Sequence, residues 1–477
     1  MLTTLLTIAE VVYVLVVSAW IVLQRRSPVV TLAWILLIIL LPVGGLLAFY
    51  LVGHRRVRKN RLKRLRARLG LREAKDRLRK GAPVPASALL DERAQQLVRL
   101  AIQVSETAPS TASAVRVLHD GDEAYAAIEA AIRAARHHVH VEYYIFEPDR
   151  TGTRLRDLLI ERALAGVEVR LLVDALGSHR LNERFLAPLR AAGARFAWFS
   201  PVRLFRPRPH YVNFRTHRKI VVVDGQVGFT GGVNVTDDES AEALGSKAFR
   251  DTHVELRGEV ARWLQVVFLE DFHHATGQAP SGPAYFGAGG EAEPGPIAVQ
   301  ILASGPDQDW EAIKKVYFAA ITGARERVWA TTPYFVPDEA MLAALSSAAQ
   351  RGVDVRVLVP HKSDLRIVTA AARSYYSELI AAGVKIYEYA PRVLHAKTLV
   401  IDGDFAAVGT ANLDTRSFQL NYEVSAVIFD AETNRTLAAA FTDDLGKSRL
   451  VDQGAIAQKR LFVRLAEGGA RLLSPLL

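Results

Sequence analysis

The chain of 477 residues contains no cysteine. This absence excludes disulfide bonds, a thiolate nucleophile, cysteine-ligated zinc and iron–sulfur clusters. Outside residues 55–80, the net charge of the chain is also close to zero. Of the formal charge of +10, a net +12 falls on the fourteen basic and two acidic residues at positions 55–80, so the rest of the chain sums to −2. A dedicated nucleic-acid binder presents a basic body, and we therefore expect no nucleic-acid partner.

Two apolar runs open the chain, at residues 5–23 and 29–52. Each is about 20 residues long, which is enough for a helix to cross a hydrocarbon core of about 30 Å. The first run lacks the basic start and the small-residue cleavage site of a signal peptide. The stretch after the second run is far more basic than the short connection between the runs. By the positive-inside rule, the pattern predicts a transmembrane hairpin that leaves the large C-terminal part in the cytoplasm.

The basic stretch at residues 55–80 has two interpretations that do not exclude each other. It is either a solvated helix that sets the membrane topology, or a patch next to the membrane that also holds anionic lipid headgroups. The end of the chain, residues 459–477, alternates basic and apolar residues. This end either lies on the bilayer as an amphipathic segment or packs on the protein as an ordinary helix.

The remainder of the chain reads as alternating strands and helices that repeat once. Three blocks recur in the same order, at residues 139–149 and 328–338, 166–173 and 352–359, and 191–201 and 381–391. Short apolar strands such as residues 167–173 are typical of mainly parallel sheets that are covered on both faces. The sequence therefore predicts an α/β protein in which two similar lobes form a pseudo-twofold pair.

The predicted segments follow from these patterns. They are a transmembrane hairpin over residues 1–53, a basic helical linker over 54–111, a first lobe over 112–276, a Gly/Pro-rich linker over 277–296, and a second lobe with a C-terminal amphipathic segment over 297–477.

One motif, H-x-K-x-x-x-x-D, occurs once in each lobe. The first copy contains His217, Lys219 and Asp224, and the second contains His395, Lys397 and Asp402. A small-residue stretch that ends in asparagine follows each copy, at Gly232 and Asn234 in the first lobe and at Thr410 and Asn412 in the second. A single copy is weak evidence, since a strand that ends in a salt bridge would look the same. Two copies at equivalent places in a repeat indicate a functional site.

The spacing of the motif predicts its geometry. On a strand, the His and Lys at positions i and i+2 point to the same face. A hairpin turn after the Asp returns a second strand, which brings the Gly-rich turn and the Asn back beside the His–Lys pair. Each lobe then offers an imidazole, a fixed cation and a set of hydrogen-bond donors, a combination that suits a tetrahedral phosphoryl group.

With these paired motifs the chain resembles the phospholipase D superfamily, and more narrowly the bacterial multi-pass cardiolipin synthases. The narrower match rests on the two apolar runs and on four segments: TTPYFVP at 331–337, AAGVKIY at 381–387, VGTANLDTRSF at 408–418 and RLLSPLL at 471–477. The resemblance covers nearly the whole chain. It implies a phosphatidyltransferase of the bacterial inner membrane whose catalytic part faces the cytoplasm.

The resemblance also implies a mechanism and a set of roles. One histidine attacks the phosphodiester and forms a phosphatidyl-histidine, while the other exchanges protons with the leaving and incoming alcohols. By family analogy His217 is the nucleophile and His395 the acid/base, although the near symmetry of the motifs does not decide between them. The non-bridging oxygens would be held by Lys219, Lys397, Asn234 and Asn412. No metal and no other cofactor is required.

Three further expectations depend on the resemblance. Asp251 and Glu423 match the acidic residue that family members carry behind each histidine. Gly232 stands where the family usually has serine, so a hydroxyl donor is missing in the first lobe; its backbone N–H could still serve, and we expect at most a modest effect on rate. Asp224 and Asp402, at strand ends, are expected to be structural ion-pair partners more than proton carriers.

The implied reaction uses membrane phospholipids only. Phosphatidylglycerol would be both donor and acceptor, with cardiolipin and glycerol as products. A hydrolase that uses water, and a transphosphatidylase with another donor or acceptor such as phosphatidylethanolamine, remain alternatives, because acceptor choice depends on how the site excludes water. The sequence does not indicate acyl-chain preference or oligomeric state.

Overall fold

A computed structural model describes most of the chain. The described residues are 2–24, 28–49, 58–80, 90–105, 107–201, 214–278, 283–286, 295–308, 311–363 and 365–474.

The N-terminal apolar runs form three helices, α1 (Leu2–Val22), α2 (Pro28–Leu40) and α3 (Pro42–Ala48). The second run is divided because Pro42 has no backbone N–H to continue α2, whereas proline is well suited to the first turn of α3. The hydroxyl of Tyr13 on α1 donates to the carbonyl of Pro42 over 2.8 Å. Among the described residues, no helix combines the length and the hydropathy needed to span a bilayer.

The basic linker folds into α4 (Arg58–Gly70), α5 (Arg72–Lys80) and α6 (Glu92–Val104). Two of its cations point into the protein. Arg64 is buried against Asp271, and Lys75 is buried against Glu270. Neither of these cations is available to a lipid headgroup, because both attach the segment to the first lobe. Other cations of the segment, such as Arg72, remain exposed.

The first lobe is built on a seven-stranded sheet within the described residues, in the order β2-β8-β7-β6-β3-β4-β5. From the start of the chain to the end of this lobe, the strands are β1 (Ser110–Ala112), β2 (Ala114–Leu118), β3 (His138–Tyr143), β4 (Glu168–Asp174), β5 (Arg195–Phe199), β6 (Ile220–Val223), β7 (Val227–Gly231) and β8 (His253–Arg257). Strands β3, β4 and β5 are parallel to one another, and β1 pairs with a strand of the second lobe.

Helices cover this sheet. They are α7 (Gly121–Ala134), α8 (Arg150–Leu164), α9 (Glu183–Ala191), α10 (Ala241–Leu244) and α11 (Glu259–Thr276). Asp149, the last residue of a repeated block, caps α8 by accepting a hydrogen bond from the N–H of Gly152. A capping carboxylate satisfies a free backbone donor of the first turn, which explains why the repeat ends in Asp.

The second lobe repeats the arrangement. Its strands are β9 (Ile297–Ser304), β10 (Arg327–Thr331), β11 (Phe335–Val336), β12 (Asp354–Pro360), β13 (Lys385–Tyr389), β14 (Thr398–Ile401), β15 (Phe405–Gly409), β16 (Leu413–Asp414), β17 (Glu423–Phe429) and β18 (Ser448–Leu450). Its helices are α12 (Ala312–Thr322), α13 (Glu339–Gln350), α14 (Arg366–Ala381), α15 (Thr415–Gln419), α16 (Ala431–Gly446), α17 (Gln453–Ala457) and α18 (Leu461–Leu472).

The two sheets have the same strand order. Over the described residues the second sheet runs β1-β9-β17-β15-β14-β10-β12-β13-β18, so its inner seven strands follow the order of the first lobe. One hydrophobic core joins the lobes and contains side chains of both, such as Val222 and Trp263 with Val400 and Val424. The predicted α/β pair of similar lobes is confirmed, and the shared core fixes the cleft between them.

Candidate active site

The site is assembled by two short backbone bridges between the lobes. Thr216, next to His217, pairs with Tyr422, next to Glu423, and Arg250, next to Asp251, pairs with Leu394, next to His395. Backbone hydrogen bonds of 2.8–2.9 Å hold both bridges. Each histidine is therefore placed beside the acidic residue of the opposite lobe, and neither half of the site is complete within one lobe.

His217 faces a single carboxylate. Its Nδ1 is 3.0 Å from the Glu423 carboxylate and 3.1 Å from the carbonyl oxygen of Thr410. The ring of Tyr144 packs edge-on against the imidazole at 5.1 Å between centroids. Burial lowers the pKa of His217 to about 4, although Glu423 opposes the shift. His217 is therefore neutral near pH 7, and Nε2 is the nitrogen left to face the cavity.

His395 lies in the more acidic half. Its Nδ1 is 2.6 Å from the Asp251 carboxylate and 3.4 Å from the carboxylate of Glu239. Burial and Lys397 lower the pKa of His395, but the two carboxylates outweigh them and raise it above its ordinary value. The two histidines thus differ in electrostatic environment although their motifs are nearly identical, because two acids face one ring and one acid faces the other.

The two lysines lie behind the histidines. The ammonium group of each donates to the backbone carbonyl of the histidine in its own motif, at 2.9 Å for Lys219. Burial, and next the charge of Lys397, lowers the pKa of Lys219 to about 7. The two lysines repel each other, and nearby carboxylates such as Glu423 and Asp251 offset this repulsion in part. An anionic phosphodiester would relieve it further.

A cavity of about 500 Å³ lies between the lobes and is lined by both histidines and by Asn234 and Asn412. The side-chain oxygen of Asn234 accepts a bond of 3.3 Å from the N–H of Ile145, which orients the amide. The side-chain oxygen of Asn412 has no hydrogen-bond partner among the described residues. The cavity therefore brings together both predicted asparagines and both imidazoles.

Gly232 and Thr410 occupy equivalent positions in the two lobes but make different contacts with the neighbouring acidic residue. A side chain at Gly232 would overlap the Asp251 carboxylate, which fills this space. In the second lobe the longer Glu423 leaves room for Thr410, whose hydroxyl donates to it. The N–H of Gly232, expected to replace a hydroxyl donor toward substrate, donates to the carbonyl of Thr252 over 2.9 Å. Both residues thus support the acids and do not point donors into the cavity.

Asp224 and Asp402 lie at the hairpin turns, away from the cavity lining. Both adopt a left-handed backbone with φ of 53° and 48°, which aspartate tolerates better than most residues. Asp224 accepts the N–H groups of Arg136, His137 and His138, each over 2.8 Å. Asp402 accepts the equivalent backbone donors of the second lobe and pairs with Arg93. Both therefore bind mainly backbone N–H groups, and of the two only Asp402 has an ion-pair partner among the described residues.

Sequence reasoning missed Glu239, which is buried beside Asp251 and His395. Burial, and next the charge of Asp251, raises the pKa of Glu239. Counting five residues beyond each asparagine would have revealed it, because Glu239 stands where the second lobe has Ser417. Asp414, a capping residue in the cavity wall whose pKa burial raises to about 7, was missed as well.

One group of potential metal ligands is found in the described part of the chain: Glu239, Asp251 and His395, with ligand atoms within 4.8 Å of one another. The Nδ1 atom of His395, which faces both carboxylates, makes the 2.6 Å bond to Asp251. A metal on that nitrogen would have to displace this bond, so the geometry fits a hydrogen-bonded imidazole better than a ligand set.

Two duplicated lobes with paired imidazoles and asparagines around one cavity, and with a lysine behind each imidazole, define a phospholipase D-type protein that acts on phosphodiesters. A family model described as "Cardiolipin synthase, PLD-like domain" matches residues 128–263 and 317–445, and one described as "Phospholipase_D-nuclease N-terminal" matches residues 14–54. The chain belongs to the phospholipase D-like cardiolipin synthase family.

Curated relatives agree with this assignment, and a solved structure shares the fold. The chain is 41% identical to a cardiolipin synthase of Geobacillus kaustophilus (strain HTA426), over 97% of this chain and 92% of that one. It is also 41% identical to cardiolipin synthase 2 of Bacillus anthracis, over 95% and 88%. The crystal structure of a phosphatidylserine synthase of Haemophilus influenzae Rd KW20 superposes with a TM-score of 0.61 at 14% identity, covering 80% of this chain and all of that one, which shows a shared fold.

Proposed function

We propose that this chain is a cardiolipin synthase that transfers a phosphatidyl group from one phosphatidylglycerol to another and releases glycerol. The observation that carries the proposal is the pairing of two histidines at one cavity with pKa values shifted in opposite directions. A neutral imidazole is a nucleophile and a protonated one is an acid, and the first half of the reaction needs one of each.

In the first step, Nε2 of His217 attacks the phosphorus of a bound phosphatidylglycerol. The bond from phosphorus to the glycerol oxygen breaks, and His395 gives its proton to that oxygen, so glycerol leaves and a phosphatidyl-histidine remains. Glu423 holds Nδ1–H of His217 and stabilises the positive charge that develops on the ring, in the manner of a triad carboxylate.

In the second step, the free hydroxyl of another phosphatidylglycerol enters. His395, now neutral, takes the hydroxyl proton while the oxygen attacks phosphorus and the phosphorus–nitrogen bond breaks. The products are cardiolipin and the original pair of histidines. Lys219, Lys397, Asn234 and Asn412 stabilise the non-bridging oxygens in both steps. One phosphodiester is exchanged for a similar one, so no nucleotide is consumed.

Turnover of a single lipid tests the proposal. The purified chain in detergent receives phosphatidylglycerol alone, with EDTA, and should form cardiolipin and glycerol in equal amounts. Phosphatidic acid as the product would instead assign a hydrolase. Turnover only after phosphatidylethanolamine is added would assign a transphosphatidylase with a different lipid pair. Loss of activity in EDTA that Mg²⁺ or Zn²⁺ restores would contradict the metal-free scheme.

We infer further that residues 1–53 anchor the protein in the bacterial cell membrane as a hairpin, with the lobes in the cytoplasm. The two apolar runs, the basic stretch after them and the membrane location of the lipid substrates support this inference.

The cysteine-free chain permits a clean test of the topology. A single cysteine at Ser27→Cys, between the runs, should react with an impermeant maleimide in intact spheroplasts. One at Ser246→Cys, exposed on the first lobe, should react only after the membrane is permeabilised. Equal labelling of both in intact spheroplasts would contradict the proposed topology.

A further inference from the structure

The C-terminal helix α18 is attached to the second lobe by its small and polar residues. Ala470 belongs to the hydrophobic core of that lobe, and Ser474, just after the helix, bonds the hydroxyl of Tyr375 on α14 over 2.8 Å. The carboxylate of Glu467 is turned inward and paired with Lys459. These contacts fix which face of the helix is covered.

The uncovered face of α18 is apolar. The large side chains on it are 64–82% exposed, and they belong to Leu461, Phe462, Leu465 and Leu472. At about 100° per residue they fall on one side of the helix, opposite the covered side. This arrangement is the reverse of a surface helix in a water-soluble domain, where the apolar face is turned inward. A continuous apolar face of this kind marks a contact with another body.

The charge around this face indicates the partner. Arg460, Arg464 and Arg471 are exposed at or beside the helix, and its only acidic residue, Glu467, is buried. Arg471 pairs with the exposed Glu378 of α14 over 3.5 Å, whereas the helix itself exposes no carboxylate. An apolar face bordered by arginines, on a helix without an exposed carboxylate of its own, is the pattern of a helix that lies in the interface of an anionic bilayer.

The face is linked to the reaction cavity through α14. Helix α18 packs along α14, and α14 begins at Arg366, directly after Leu365. Leu365 lines the cavity and is nevertheless half exposed, as is the neighbouring Ile367. Tyr375, which anchors the end of α18, is ten residues from Leu365, or about 15 Å along a helix. One rigid pair of helices therefore carries both the apolar face and part of the cavity rim.

We propose that the outward face of α18 seats in the headgroup region of an anionic bilayer and holds the rim at Leu365 against the lipid surface. The proposal rests on the proposed function only in that the substrate is a membrane lipid. Seating the second lobe in this way lets a phospholipid reach the cavity without its acyl chains crossing water.

The direct test uses the cysteine-free chain reconstituted in vesicles of phosphatidylglycerol and phosphatidylcholine. An environment-sensitive fluorophore is attached to Leu465→Cys or, as the matched control, to Leu164→Cys, which is equally exposed on α8. Lipids brominated near the headgroup end of the acyl chains should quench the first label and leave the second unchanged. Equal quenching of both labels, or of neither, would overturn the proposal. Oxidative cross-linking of Leu465→Cys between two chains would assign the face to a second copy instead.

A second test separates docking from chemistry. The double variant Phe462→Glu/Leu465→Glu should lower turnover of vesicle phosphatidylglycerol about tenfold and change turnover of dissolved dihexanoyl-phosphatidylglycerol less than about twofold. Equal losses on both substrates, or none on either, would contradict the proposal. The quenching readout needs no turnover, so an inactive wild-type chain would contradict the proposed function and leave the docking result standing.

Discussion

The two halves of the site show how a duplicated sequence becomes an asymmetric one. Both lobes present H-x-K-x-x-x-x-D on equivalent hairpins and receive an acid from the opposite lobe. Yet the pKa of His217 falls to about 4, whereas the pKa of His395 rises. A reaction that needs a neutral nucleophile and a charged acid at the same pH requires such a difference. Duplication alone supplies two identical groups, so the asymmetry must come from residues outside the motif.

Two local differences create the asymmetry. Glu239 stands near His395 where Ser417 occupies the equivalent position in the second lobe, which adds a carboxylate to one half only. Asp251 is one methylene shorter than Glu423 and fills the space above Gly232, while Glu423 accepts the hydroxyl of Thr410. The first lobe therefore provides two acids for the partner histidine, and the second lobe provides one acid with a hydroxyl.

Removal of either imidazole should have the largest effect. His217→Ala and His395→Ala should each lower cardiolipin formation by about 10³-fold or more, because each half-reaction uses both rings. Lipid product measured by mass spectrometry checks this, and thermal unfolding serves as the control for folding. Activity above a few per cent of wild type in either variant would contradict the two-histidine scheme.

Replacement of the carboxylates that contact the two imidazoles should have the next largest effect. Asp251→Asn and Glu423→Gln should each lower kcat by about 10²-fold, because the neutral amide no longer stabilises the positive ring. The halves should differ in pH dependence. Asp251→Asn lowers the pKa of His395, so the loss should grow as the pH rises, while the loss in Glu423→Gln should not. Identical pH profiles of the two variants would contradict the claim that the two histidines differ in charge state.

A side chain at Gly232 should have a smaller effect. Gly232→Ser should lower kcat about tenfold, because the new Cβ displaces the Asp251 carboxylate from His395. The matched control is Gly403→Ser, at a hairpin glycine whose Cβ would meet open space. Steady-state kinetics of both variants checks this. A gain of activity in Gly232→Ser would contradict the predicted clash and show that a hydroxyl at this position assists the reaction.

Glu239→Gln should change the pH profile more than the rate. His395 must be protonated to act as acid, and the Glu239 carboxylate raises its pKa. Removing that charge lowers the pKa, so the alkaline fall of kcat/KM should begin at lower pH, with only a few-fold loss near pH 6. Glu242→Gln, at an exposed carboxylate nearby, is the control. An unchanged alkaline limb would show that Glu239 does not set the charge of His395.

Much of this arrangement could be predicted from the sequence, because its signals are periodic and local. The repeated blocks indicate equivalent strands, as observed in the paired sheets. The spacing of His217 and Lys219 predicts one face of a strand, but β6 begins only at Ile220, so both residues precede it. The turn at Asp224 follows from its position before glycine. These features depend on residues that are close in the chain. Because the blocks repeat, the strands and turns assigned in one lobe also predict those of the other.

The rest depends on contacts between distant residues. No local pattern shows that Asp251 serves His395 across the cleft, because the bridge at Arg250 and Leu394 forms only when the lobes pack. The inward turn of Arg64 and Lys75 toward Asp271 and Glu270 is hidden within a segment that reads as solvated. Glu239 was visible only by comparing the lobes position by position.

The central claim is that His217, and not His395, carries the phosphatidyl group. The most direct measurement uses a radiolabelled phosphatidyl-p-nitrophenol, whose leaving group departs without a proton, so that the acid is not needed for the first step. His395→Ala should release a burst of one p-nitrophenolate per site and retain the label on His217, located by peptide mass spectrometry, whereas His217→Ala should give no burst. A burst from His217→Ala with the label on His395 would contradict the account.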